Sequence, residues 1–70
     1  MNKMYRLRIF FKDNSILELD LTYKMIKSFE TSLFEDYFIE IEKRREGYFM
    51  ESKYIIKRDD IRYVEISRKD

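Results

Sequence analysis

Apolar and polar residues alternate without a break from Tyr37 to Glu42. Tyr37, Ile39 and Ile41 point one way, and Phe38, Glu40 and Glu42 the other. A period of two marks a strand with one buried face. The alternation resumes after Gly47, the only glycine in the chain, and runs to Lys57. Tyr37 to Lys57 therefore reads as a long antiparallel hairpin. A two-residue turn at Glu46-Gly47 sets Arg45 opposite Tyr48 and fixes the register behind it. Tyr37 then faces Ile56, Ile39 faces Tyr54, Ile41 faces Ser52 and Lys43 faces Met50, while Phe38 meets Ile55 and Glu40 meets Lys53 on the outward side.

Residues 4–11 and 15–21 predict a hairpin of their own. Tyr5, Leu7, Ile9 and Phe11 alternate with Met4, Arg6, Arg8 and Phe10, and on the return Leu17, Leu19 and Leu21 alternate with Ile16, Glu18 and Asp20. A two-residue turn at Asp13-Asn14 would set Ile9 against Glu18 and spoil both faces. A three-residue loop, Lys12-Asp13-Asn14, with Asn14 in the left-handed region, repairs them. Leu7 then meets Leu19 and Ile9 meets Leu17, while Arg8 faces Glu18, Arg6 faces Asp20 and Phe10 faces Ile16. Cross-strand charge pairs and an apolar pair falling together argue for that register.

Between the hairpins the period changes. Thr22 suits a helix N-cap. Tyr23, Ile26, Phe29 and Leu33 mark one helical face, giving a helix over about residues 22–34. Ser32 with Glu35 has capping-box spacing, but the strand pattern from Tyr37 leaves no room for a second helix. After the charged connection Lys57 to Asp60, Ile61, Val64 and Ile66 anchor a last strand at about 62–67, followed by a polar tail, Ser67 to Asp70. The expected fold is α+β, ββαβββ, a small antiparallel sheet with one helix packed on one face, as a single domain over residues 1–70. Two layers are the minimum that encloses a core.

Composition narrows the chemistry. No cysteine means no disulfide and no thiolate, and no histidine removes the commonest metal ligand and the usual base near neutral pH. A domain this small then depends on a dense core, for which twelve aromatics are available, or on self-association. Carboxylate pairs are the remaining enzymatic option. Glu40 and Glu42 share a strand face and Asp59-Asp60 are adjacent, but solvated or ion-paired surface accounts for both. With no glycine loop for phosphate and little loop length to build a pocket, the sequence predicts no catalytic residue, metal, cofactor or small-molecule substrate. No apolar run approaches a signal peptide or the ~20 residues of a membrane span. A cytoplasmic, non-membrane protein is expected. Alanine, proline and glutamine are also absent while isoleucine, lysine, phenylalanine and tyrosine abound. That bias suits the coding of an AT-rich bacterium, its phage or its mobile elements.

Charge is nearly balanced at +1 but unevenly spread: residues 1–12 carry +4, 13–42 carry −6, 43–58 carry +4 and 59–70 carry −1. The tip Lys43-Arg44-Arg45 with Tyr48 mixes cations and an aromatic, as single-strand binders do, and makes nucleic-acid binding the alternative function. Elsewhere the predicted registers neutralise Arg6, Arg8 and Lys53. The main expectation comes from the outward side, where Phe10, Ile16, Phe38, Ile55 and Phe49 (beside Arg44) stand where a wet sheet face should be polar. Grouped apolar surface marks contacts. The sequence thus predicts a small non-enzymatic interaction or assembly module, of the accessory or inhibitor kind, docking through that face to a protein partner or to itself as a homodimer.

Overall fold

The computed structural model describes residues 3–43 and 52–69, with the Lys43 side chain left aside. The elements are β1 (Met4–Phe11), β2 (Ile16–Thr22), α1 (Tyr23–Glu35), β3 (Phe38–Lys43), β4 (Ser52–Lys57), a 3₁₀ turn (Arg58–Asp60) and β5 (Ile61–Lys69). The expected α+β order is present, with one helix packed against antiparallel strands. The strands form a three-stranded sheet, β2-β1-β5, and a two-stranded sheet, β3-β4.

The first hairpin takes the register that its side chains demand. Arg8 pairs with Glu18, Arg6 with Asp20, Leu7 with Leu19 and Phe10 with Ile16. Asn14 lies at φ 73°, the left-handed conformation that a three-residue loop requires. Its N–H donates to the Phe11 carbonyl at 3.0 Å, and the Phe11 N–H donates to Ser15 at 2.9 Å. Asp13 stiffens the loop by accepting the Ser15 N–H at 2.9 Å.

Thr22 caps α1 as expected, its hydroxyl oxygen accepting the Met25 N–H at 3.3 Å. Ile26 and Phe29 are buried, with Met25 and Leu33 packed beside them. The helix runs through Thr31 and Ser32 without a break and ends at Asp36, whose N–H donates to Ser32 at 2.8 Å. Tyr23 departs from the expected apolar face: as the first residue of the helix it is about half exposed, its ring tilted against Tyr5 at 5.8 Å.

The second hairpin corrects the expected register by two residues. Ile39 pairs with Ile56, Ile41 with Tyr54, Glu42 with Lys53 and Phe38 with Lys57. A two-residue slip leaves every side chain on its expected face, so alternation could not discriminate between the registers. The cross-strand pairs could: Ile41 gains Tyr54 in place of Ser52, and Glu42 gains Lys53. The turn at Glu46-Gly47 lies outside the described residues.

The last strand is longer than expected and starts earlier. The supposed polar tail continues β5 as far as Lys69, because β1 offers backbone partners to its very start: Met4 pairs with Lys69 and Tyr5 with Arg68. Ladder hydrogen bonds need no apolar side chain, so the hydrophobic pattern stops before the strand does. A bulge between Phe10 and Phe11 leaves Arg62 as the extra residue. Its Nη1 then reaches the Asn14 side-chain oxygen at 3.2 Å. The Lys12 N–H also donates to Asp60 at 2.9 Å, tying the first loop to the 3₁₀ turn.

Both sheets and the helix share one core: Leu7, Ile9, Leu19 and Leu21 from the three-stranded sheet, Ile39, Ile41 and Ile56 from β3-β4, and Ile26 and Phe29 from α1. Leu7, Ile9 and Ile39 have no exposed surface. Among the described residues no polar or charged side chain is buried with them.

Candidate protein-interaction surface

Alternation places Arg6, Arg8 and Phe10 of β1 on the side away from the core, beside Glu18, Asp20 and Ile16 of β2 and Tyr63, Glu65 and Lys69 of β5. The charged members form one ladder across three strands. Arg8 Nε meets Glu18 at 2.8 Å and its Nη1 meets Glu65 at 3.3 Å. Arg6 Nε lies 3.3 Å from Asp20 and 3.6 Å from Glu18, and Lys69 Nζ lies 2.7 Å from Asp20. Three cations alternate with three carboxylates. The Asp20 carboxyl is held below the usual carboxylate range, first by the Lys69 hydrogen bond and then by Arg6. Glu18, ahead of Glu65, raises Arg8 above its already high ordinary value. Arg6 and Arg8, two of the four cations in residues 1–12, are thus paired with protein carboxylates.

Beyond the ladder the same face turns apolar. Phe10 is half-buried, its ring stacked on Tyr63 at 4.4 Å and 16°. Ile16, opposite Phe10, is exposed. Tyr63 also receives the Arg62 guanidinium over its ring at 5.2 Å.

The outward side of β3-β4 has a different plan. Phe38, Glu40 and Glu42 project from β3 against Lys57, Ile55 and Lys53 of β4. Lys53 Nζ meets Glu40 at 2.7 Å, diagonally across the ladder rather than straight across as expected. Glu40, assisted by Glu42, raises the Lys53 ammonium above its ordinary value. Phe38 and Ile55 are 56% and 63% exposed. Tyr37 sets its ring edge-on to Phe38 at 4.8 Å and takes the Lys57 ammonium over its ring at 5.6 Å from the centre.

Sequence reasoning missed Phe34. It lies in the last turn of α1 and is 82% exposed, more than any other large apolar side chain among the described residues. The Arg58 N–H donates to Tyr37 at 2.9 Å, and its Nη1 donates to the Phe34 carbonyl at 3.5 Å, so Arg58 joins the helix end to the start of β3. The signal was available: Phe34 falls off the Ile26, Phe29, Leu33 stripe, where an aromatic has no core to enter.

Four expected contact residues, Phe10, Ile16, Phe38 and Ile55, thus point away from the core, on two sheets rather than one. Phe49 lies outside the described residues, as do Arg44, Arg45 and Tyr48 of the basic tip. Lys43 closes β3.

An open cleft of about 350 Å³ between α1 and β3 is lined by Met25, Ser28, Phe29, Glu40, Ile41 and Glu42. Glu40 there is already committed to Lys53. Among the described residues, no three acidic side chains gather as a metal site would require. No described helix is long and apolar enough to cross a membrane. Comparison of the chain with protein-family models, with curated proteins and with solved structures finds no match.

Proposed function

We propose that this chain is a small non-enzymatic interaction module that docks another protein chain through the outward face of β3-β4. The observation that carries the reading is the exposure of two large apolar side chains on one sheet face, Phe38 at the start of β3 and Ile55 within β4. Burying a phenylalanine or isoleucine side chain is favourable by about 1.5–3 kcal/mol relative to leaving it in water. A domain of this size has little stability to spare, so apolar surface held out of its core is best explained by a contact. Work by occupancy rather than turnover suits an accessory or inhibitory role, and the AT-rich coding bias suits a phage or mobile element.

The test compares Phe38→Ser with Ile39→Ser. Adjacent in sequence, they face opposite ways: Ile39 is fully buried and Phe38 is not. Phe38→Ser should weaken association while leaving thermal unfolding close to wild type. Ile39→Ser should unfold the chain, because it removes buried hydrocarbon and leaves a cavity. Association through this face should weaken only modestly with added salt, which screens its exposed charges, whereas phosphate-driven binding would weaken steeply. If Phe38→Ser unfolds as badly as Ile39→Ser, Phe38 belongs to the core and the docking reading fails.

A further inference from the structure

Resting on that reading, we infer that the occupant of the β3-β4 face is a second copy of this chain, related by a two-fold axis parallel to the strands. The charge pattern is its own complement. Glu40 and Glu42 make the β3 row acidic, and Lys53 and Lys57 make the β4 row basic, each residue standing beside its partner at the same height: Phe38 by Lys57, Glu40 by Ile55, Glu42 by Lys53. A two-fold axis running between the strands lays β3 of one copy over β4 of the other without changing height. Glu42 then faces Lys53 of the second copy, and Lys53 faces its Glu42. Phe38 lies over the Lys57 stem of the second copy and next to its Ile55, so two phenylalanines and two isoleucines close together about the axis.

Other arrangements fit worse. An in-plane axis perpendicular to the strands and centred on Glu40 sets Glu40 upon Glu40, a like-charge contact that opposes association. Face-to-face sheets pack about 10 Å apart with interdigitating side chains, room enough for these. Lys53 keeps an acid beside it, since it retains Glu40 at 2.7 Å within its own chain. Six paired positions make a small patch, well under the ~800 Å² per partner of a standard interface, so association should be weak and depend on concentration.

Glu42→Lys and Lys53→Glu provide the test. Either alone sets like charges across the axis, and each should weaken self-association at least about tenfold in sedimentation runs up to about 1 mM, with the circular dichroism of the fold retained. Mixed in equal amounts, they should associate again, because both cross-axis contacts become Lys with Glu. In parallel, a photo-activated phenylalanine analogue at position 55 should capture, in cells making the protein, a product of twice the chain's mass. Failure of the mixture to associate overturns the two-fold arrangement, as does wild-type dimerisation unmoved by either substitution. Cross-links to other proteins alone overturn the second copy but leave the docking reading in place. No cross-link in cells together with no self-association of the wild type up to about 1 mM overturns both.

Discussion

At the scale of single residues, Asn14 and Asp20 do the most identifiable work. Asn14 sits at φ 73°, where any residue with a Cβ other than asparagine or aspartate costs about 1–2 kcal/mol and glycine, lacking a Cβ, does not. Asn14→Ala should therefore lower stability by roughly that amount in urea unfolding, with Asn14→Gly falling between the two because it relieves the backbone but loses the Arg62 contact. Asp20 binds Lys69 and Arg6, and its carboxyl pKa is depressed in the folded chain. A depressed folded value means stability that is present above the unfolded pKa, about 3.9, and lost as pH falls through the folded one. Thermal melts of wild type should thus decline below about pH 4 more than those of Asp20→Asn. Equal declines would show that the ladder adds no pH dependence.

Among the elements, the two hairpins show what a sequence can reveal. The first was legible to the residue because its loop forces a choice: one turn length matches charge with charge on one face and leucine with leucine or isoleucine on the other. The second was legible only in its faces. Ile39, Ile41 and Ile56 are buried as alternation requires, yet their partners are displaced by two, a slip that alternation cannot detect. The helix was readable because Ile26, Phe29 and Leu33 repeat with its period. Phe34 was overlooked for the same reason, since a search for the buried stripe passes over an aromatic just beside it. At this scale Phe34→Ser should leave the melting temperature within about 4 °C of wild type, a surface substitution being worth within about 0.5 kcal/mol. A larger fall would mean that Phe34 packs against the fold after all.

Across the whole molecule, the pairing of the first strand with the last was the feature hidden from sequence. β1 lies between β2, its neighbour in sequence, and β5, whose Ile61–Lys69 comes some fifty residues later. No local pattern announces such a partner. The buried Leu7 and Ile9 depend on it, pairing across to Ile66 and Val64. Leu7→Ala should cost about 2–5 kcal/mol, enough to unfold a domain of this size, as loss of the cooperative thermal transition would show.

The same pairing decides how the protein responds to being pulled. Met4 and Lys69 sit side by side at one end of an antiparallel ladder, whose hydrogen bonds run perpendicular to the strands. Tension applied at these two ends loads the bonds one after another, and β5, an outer strand, peels away like a zipper. Tension applied at Lys12 and Lys69 instead, at opposite ends of the two strands, drags β1 along β5 and loads the bonds together. With no native cysteine to interfere, handles at each pair of sites can be compared in an optical trap. The first geometry should yield at the lower force, so a protein-unfolding motor that peels β5 from its Lys69 end meets the weaker of these two directions.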